Sequence, residues 1–582
     1  MKRAILAAAA ALVVLTLSAC GGGSPTPPVT PTVTVAPATA NVQEGSQQQF
    51  TATVSNTSDT NVTWQVNSIT GGNAAVGTIS SSGLYTAPDV IPNPASVTIT
   101  AFITDTPSIS GNAIATITAV TFNNSSLKGN YVFSFSGVDT SGNAFYAIGA
   151  ITADGNGNIT GGEEDLNDVT SGYFTATSTT GTYSIGSDGR GTLSINNSIG
   201  SFQFAIAMKA LNNAVLNEVD NNVVAATGNL EAQSAGIPAP SGNYAFGFNG
   251  SGLGCGSFAS AGIFALNGGT LGGVQDLNCG GSIIQSQTLT GSYNTSIDGL
   301  GRGTGSFTGS SSGSSDMIYY VISGSRFRFL CPDTATFFLG SADLQTQSSF
   351  TGSNFSGQYV INTSANTSGA GVSYTLISIN ANGGNVSTGY YDVNNTGTVG
   401  QASLTGSYSV ASNGYVNGTW NVNNAGLPFA MYLISPTQGY YVDERTSAIG
   451  GGNVYAQDAS LTTNAGWAGS YATKQFGYFL SGGVINPGNA SGVSGQLSAD
   501  GNGNLAGTLD LNDPAGVSIG ATLQSPSNYS VTTTAPGRFT AQITTQVEGT
   551  RTYVGYLVST GQVLLLETDT NLVSAGDAIR QF

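Results

Sequence analysis

Apolar and polar side chains alternate in short runs along most of the chain, and turn-forming residues separate the runs. Between residues 33 and 120, Val33-Thr34-Val35, Val62-Thr63-Trp64-Gln65-Val66 and Val97-Thr98-Ile99-Thr100-Ala101 place every second side chain on one face. That period predicts half-buried β-strands rather than helices. Beyond residue 124 the same alternation predicts eight strands in one stretch, at roughly 130–136, 144–153, 158–165, 172–185, 190–196, 201–208, 213–219 and 222–230. Asp154-Gly155-Asn156-Gly157 and Asp188-Gly189 supply hairpin turns between them.

This stretch is the first of four copies. An opener recurs at Gly129, Gly242, Gly357 and Gly469, at spacings of 113, 115 and 112 residues. A mid-module signature reads Glu164-Asp165-Leu166-Asn167, Gln275-Asp276-Leu277-Asn278, Tyr391-Asp392-Val393-Asn394 and Leu509-Asp510-Leu511-Asn512. A closer runs Gly228 to Gln233, Gly340 to Gln345, Gly452 to Gln457 and Gly576 to Gln581. Each copy is long enough to fold by itself. Eight sequential strands with short connections pair antiparallel, and closure removes the two open edges. The expected fold class is therefore all-β: a β-sandwich followed by four antiparallel modules, each an eight-stranded up-and-down barrel, with two-sheet sandwiches as the alternative. The module boundaries fall at 124–236, 237–349, 350–464 and 465–582.

Composition narrows the function. Of 582 residues, 82 are Gly, charged residues make up 7%, and there is no His. The missing imidazole excludes Ser-His-Asp and Cys-His catalysis and His-ligated zinc. Thirteen basic residues against thirty acidic ones give a net charge of −17, which excludes nucleic acid as a partner.

The N-terminus reads as an address. Met1-Lys2-Arg3 is followed by an apolar run from Ile5 to Leu17 that ends in Leu17-Ser18-Ala19-Cys20. This resembles the lipobox of bacterial lipoproteins. The resemblance implies a signal peptide over 1–19, lipidation of Cys20, a membrane anchor and, with Gly21 rather than Asp next, the outer membrane, facing periplasm or exterior. Residues 20–32 then form a Gly- and Pro-rich tether. Residues 33–120 resemble bacterial Ig-like domains of group 2, the invasin/intimin type (BIG2). The likeness rests on Glu44-Gly45, Gln49-Phe50, Trp64, Gly77-Thr78-Ile79 and Gly83-Leu84-Tyr85. It implies a sandwich used as a surface spacer or adhesin part, with no catalytic residues to carry over.

Candidate chemistry is sparse. Strand parity puts the signature Asp of each module at the same end as an acidic closer, so Asp165 is expected near Glu218 and Asp220. Facing carboxylates can hold Ca²⁺ or act as an acid/base pair on a sugar. Asp and Asn bonding local backbone at strand ends is the plainer reading and is preferred, so no cofactor and no metal site are expected. Asp154-Gly155-Asn156-Gly157-Asn158 begins like a calcium loop but has Ile159 where that loop needs Gly, and a hairpin turn explains it better. Gly309-Ser310-Ser311-Ser312-Gly313 matches a nucleophile-elbow pattern without the strand-to-helix context and is rejected. Cys255, Cys279 and Cys331 all fall in the second module, and one pair among them is expected to form a disulfide.

These observations favour a non-catalytic, surface-anchored binding, adhesion or structural envelope protein, with a glycan or a surface protein as ligand. Tyr390, Tyr391, Trp420 and Trp467 are candidates for stacking on sugars, although strand aromatics usually belong to cores. A lipocalin-like carrier with a ligand inside each barrel is the alternative, and a carboxylate-based glycoside hydrolase comes third.

Overall fold

Strands buried on one face alternate in polarity, whereas strands buried on both faces read as unbroken apolar runs. Both kinds occur here, and the difference decides how the barrels are arranged. The computed structural model describes residues 29–581 apart from 74, 89, 211–212, 221–222, 253 and 368–370. The segment read as a signal peptide, Cys20 and most of the stretch read as a tether lie outside the described residues.

The chain divides into two units, 1–118 and 119–582. In the first, Thr32–Ala36 pairs with Thr51–Ser55. A five-stranded sheet is built around Ser96–Ile103 and Thr106–Thr118, and a four-stranded sheet around Leu84–Thr86. Phe50, Trp64, Tyr85, Val97 and Ile99 form the core. Trp64 is buried on its middle strand because its neighbours Thr63 and Gln65 take the opposite face.

The second unit holds four closed eight-stranded antiparallel barrels. In the first, the strands are Lys128–Asp139, Ala144–Asp154, Asn158–Asp168, a fourth split into Gly172–Ala176 and Thr180–Ile185, Arg190–Asn196, Ser201–Ala210, Asn213–Glu218 and Val223–Ala232. Only the split of the fourth departs from the expected pattern. The other barrels run from Gly242 to Leu344, Gly357 to Ala456 and Ala468 to Arg580. Their lumens are filled. Phe246, Phe248, Phe258, Phe264, Phe307, Phe329 and Phe338 pack inside the second barrel, and Trp420 stacks on Phe429 at 3.8 Å inside the third. Among the described residues, packed side chains occupy these lumens, whereas the alternative of a lipocalin-like carrier asks for an open chamber there.

The outer faces of strands one and two are buried as well. Val132, Ile148 and Ala150 of the first barrel pack on Ile318, Tyr320 and Leu330 of the second. Ala245, Ala259 and Ala261 pack on Ala430, Tyr432 and Val442 of the third. Val360 and Leu376 pack on Val554, Tyr556 and Leu566 of the fourth. Finally, Ala472 and Ala490 of the fourth pack on Ala207, Val215, Val138 and Ala225 of the first. The four barrels therefore form a closed ring.

Each seam is locked by the signature residues. Asp165 accepts from Arg302 Nε at 2.7 Å and from the Tyr320 hydroxyl at 2.7 Å. Asp276 accepts from Tyr432 at 3.1 Å. Asp392 accepts from Arg538 Nη2 at 2.7 Å and Tyr556 at 2.7 Å, and Asp510 from Arg190 Nη2 at 2.5 Å. The signature Asn donates to backbone carbonyls of the next barrel: Asn167 to Cys331, Asn278 to Asp443, Asn394 to Glu567 and Asn512 to Glu218, at 2.7 to 2.9 Å. The closing Gln does the same, Gln233 reaching Val321, Gln345 Leu433, Gln457 Leu557 and Gln581 Met208. This last bond spans 373 residues and joins the end of the repeat to its beginning.

Removing one partner of a buried ion pair strands the other, at a cost of about 3–5 kcal/mol. Asp392→Ala, which leaves Arg538 and Tyr556 without their acceptor, is expected to lower stability by that amount in urea unfolding. A loss under about 0.5 kcal/mol, the range of ordinary surface substitutions, would contradict the lock.

Candidate functional site

The closer hexapeptide has three jobs, assigned by strand alternation. Leu230, Ala342, Val454 and Ala578 point into the four barrel cores. The final Gln clasps the next barrel. The residues between, Asn229 and Glu231, Ser341 and Asp343, Asn453 and Tyr455, and Asp577 and Ile579, face a cavity lined by all four barrels. Its volume is about 730 Å³, within the roughly 300–1,000 Å³ of small-molecule sites.

Neighbouring strands complete the wall. Arg326 and Arg328 come from the seventh strand of the second barrel, Tyr440 from the same strand of the third, Lys209 from the sixth strand of the first and Lys474 from the first strand of the fourth. Gly247 has a structural reason here: a Cβ at that position would lie 2.7 Å from the Tyr440 ring. Four cationic side chains line the cavity, Lys209, Arg326, Arg328 and Lys474, against three anionic ones, Glu231, Asp343 and Asp577. In a chain of net charge −17, that is a local reversal of sign.

The charges sort into two groups. On one side Arg326 donates to Asp343 at 2.6 Å and to Glu231 at 3.3 Å, and Arg328 donates to Glu231 at 2.8 Å and to Ser341. Tyr440 donates to Asp343 at 2.5 Å. Burial alone would raise the Glu231 carboxyl, but the Arg328, Arg326 and Lys209 charges overcome it and hold it at about 2. On the other side Lys209 and Lys474 each donate to the same neutral atom, Asn229 Oδ1, at 3.1 Å. Among the described residues neither ammonium is in an ion pair within 4.0 Å. Burial and then the Lys474 charge bring Lys209 down to about 8.

The carboxylates singled out in the sequence do not converge. Asp165 faces the neighbouring barrel, bound to Arg302, and Asp220 accepts from the Gln203 backbone at 2.8 Å. Glu218 instead points into the first lumen, where its facing carboxyl is Glu164, one residue before Asp165. A one-residue step along a strand changes the face. Both are fully buried, so no sugar reaches them as an acid/base pair. Burial lifts Glu164 to about 7 despite a 2.6 Å bond from Asn197, and burial with the Asp220 and Glu164 charges lifts Glu218 well up. Among the described residues no group of three His, Cys, Asp or Glu is placed to hold a metal ion. Asp154 binds Asn156 and Asn158, making a turn, and Gly309 and Gly313 flank a hairpin tip.

Cys255 and Cys279 form a disulfide, and Cys331 is buried and free. Trp420 and Trp467 are core residues with no exposed surface and offer no face for stacking, while Tyr390 and Tyr391 are partly buried and the Tyr390 hydroxyl donates to Thr534 of the next barrel. No helix among the described residues is long and apolar enough to cross a membrane.

No protein-family model matches the chain, and no curated protein matches it. Among solved structures, the isotype 1 transferrin-binding protein B of serogroup B Neisseria meningitidis aligns at 10% identity over 63% of this chain and 83% of its own, with a TM-score of 0.19. That score is too low for a shared arrangement, and the likeness bears on neither ligand nor role.

The lumen carboxyls predict a pH dependence. A folded-state pKa above the unfolded value of about 4.3 means that the folded chain holds more protons, so stability falls as pH rises through that interval. The melting temperature is expected to decline from pH 5 to pH 8, and Glu218→Gln to flatten the decline. A melting temperature that rises over that range in the unaltered protein would contradict the assignment.

Proposed function

We propose that this chain is an envelope-anchored, non-catalytic binding protein that holds an anionic ligand in the cavity at the centre of its barrel ring. One observation carries the reading: Lys209 and Lys474, from barrels at opposite ends of the repeat, converge on a single neutral oxygen with no carboxylate paired to either among the described residues. Two ammonium groups brought together at a cost in repulsion and desolvation form a site that an anion completes. The lipobox-like Cys20 supports a lipid anchor at the outer membrane, facing periplasm or exterior. The tether and the Ig-like unit support a spacer role for the N-terminal part.

The proposal couples binding to protons. Lys209 is charged below about pH 8, and a bound anion stabilises that charge, so binding takes up protons near that pH. Calorimetry with inorganic phosphate on the full chain is expected to show binding that weakens with salt and falls by up to tenfold per pH unit above about 8. The Lys209→Met, Lys474→Met double variant, folded by its melting curve, is expected to lose it. Phosphate binding unchanged in that variant would overturn the reading.

A further inference from the structure

The cavity carries a second unsatisfied group, of opposite sign. Asp577, at the second position of the last closer, presents a buried Oδ1 with no hydrogen-bond donor, and its residue lines the same wall as Lys474. It lies close enough to Lys209 for its charge to act there. Every other carboxylate of the cavity has its donors: Glu231 has Arg326 and Arg328, and Asp343 has Arg326 and Tyr440. A buried acceptor left without a donor is costly, and in a binding site it marks where a ligand donor belongs.

The rest of the wall describes the body of that ligand. Asn249, Asn362, Asn453, Gln438 and Gln562 present amide side chains, each both donor and acceptor. Tyr374, Tyr440 and Tyr455 add aromatic surface. Asn362 Oδ1 already accepts from the Asn453 backbone, and the remaining amide groups offer donors and acceptors that a hydroxylated ring can use and an aliphatic chain cannot. A second cation on the ligand would sit beside two ammonium groups already facing one free carboxylate.

Resting on the reading of the cavity as an anion site, we infer that its ligand is a polyhydroxylated acid, a sugar acid in chemical class, whose anionic head bridges Lys209 and Lys474 while one of its hydroxyls donates to Asp577.

The test is calorimetry on the full chain with D-glucuronate, cyclohexanecarboxylate, D-glucose and inorganic phosphate. D-Glucuronate is expected to bind at least tenfold tighter than cyclohexanecarboxylate, and D-glucose more weakly than D-glucuronate. Asp577→Ala is expected to narrow the gap between the two carboxylates at least threefold, since only D-glucuronate uses that acceptor, and an unchanged gap would overturn the Asp577 contact. Should this variant fail to fold, Asp577→Leu, which fills the space without an acceptor, is measured in its place. Equal binding of the two carboxylates by the unaltered protein would overturn the hydroxyl assignment and leave the anion site standing. No binding of either carboxylate or of phosphate would overturn both.

Discussion

The arrangement of the four barrels depends on a surplus of apolar surface. A closed barrel needs only its inner face buried, yet strands one, two, six and seven of each repeat carry apolar side chains on the outer face as well. That second face has one way to leave water, which is to lie on the matching face of another repeat. Strands one and two of each barrel meet strands six and seven of the next. A linear array leaves one such face exposed at each end, and the fourth barrel covers both by docking onto the first. At the three seams where the Asp pairs with an Arg, the desolvation of the buried pair offsets most of its attraction, so the pair contributes more to orientation than to net stability.

The cavity follows from closure. Each closer must turn one set of side chains into its own core and the alternate set outward, and around a ring those outward sets meet at the centre. Equivalent positions have diverged there, while the signature Asp and Asn and the closing Gln recur at every seam. The position filled by Asn229 is Ser341, Asn453 and Asp577 in the other copies, and the position filled by Glu231 is Asp343, Tyr455 and Ile579. The repeat thus supplies a symmetric scaffold with an asymmetric lining, and a lining of that kind can tell the two ends of one molecule apart.

Much of the fold was legible in the sequence because alternation, hairpin turns and a fixed repeat are local signals. The eight strands of the first module fall close to their expected places, and edge avoidance pointed to closed barrels. The ring was less visible because its cause lies between modules. A signal existed in Tyr131-Val132-Phe133-Ser134-Phe135 and Met317-Ile318-Tyr319-Tyr320-Val321-Ile322, runs with no polar face to give to solvent. The mid-module signature is a local signal, but strand parity alone sets its Asp beside the acidic residues that end the seventh strand of its own module. It faces the neighbouring barrel, while Glu164 looks inward. The cavity itself could not be read along the chain, since Lys209 and Lys474 stand 265 residues apart and meet only when the fourth barrel reaches the first.

Ring closure stands or falls on that meeting. The chain has four lysines, Lys2, Lys128, Lys209 and Lys474. Treatment of the monomeric protein with a short amine-reactive cross-linker, followed by digestion and mass spectrometry, reads their proximity directly. A closed ring predicts an intrachain link between Lys209 and Lys474, whose nitrogens lie within about 6 Å of each other through their shared acceptor. Modification of both lysines singly, with no link between them, would contradict ring closure and the cavity with it.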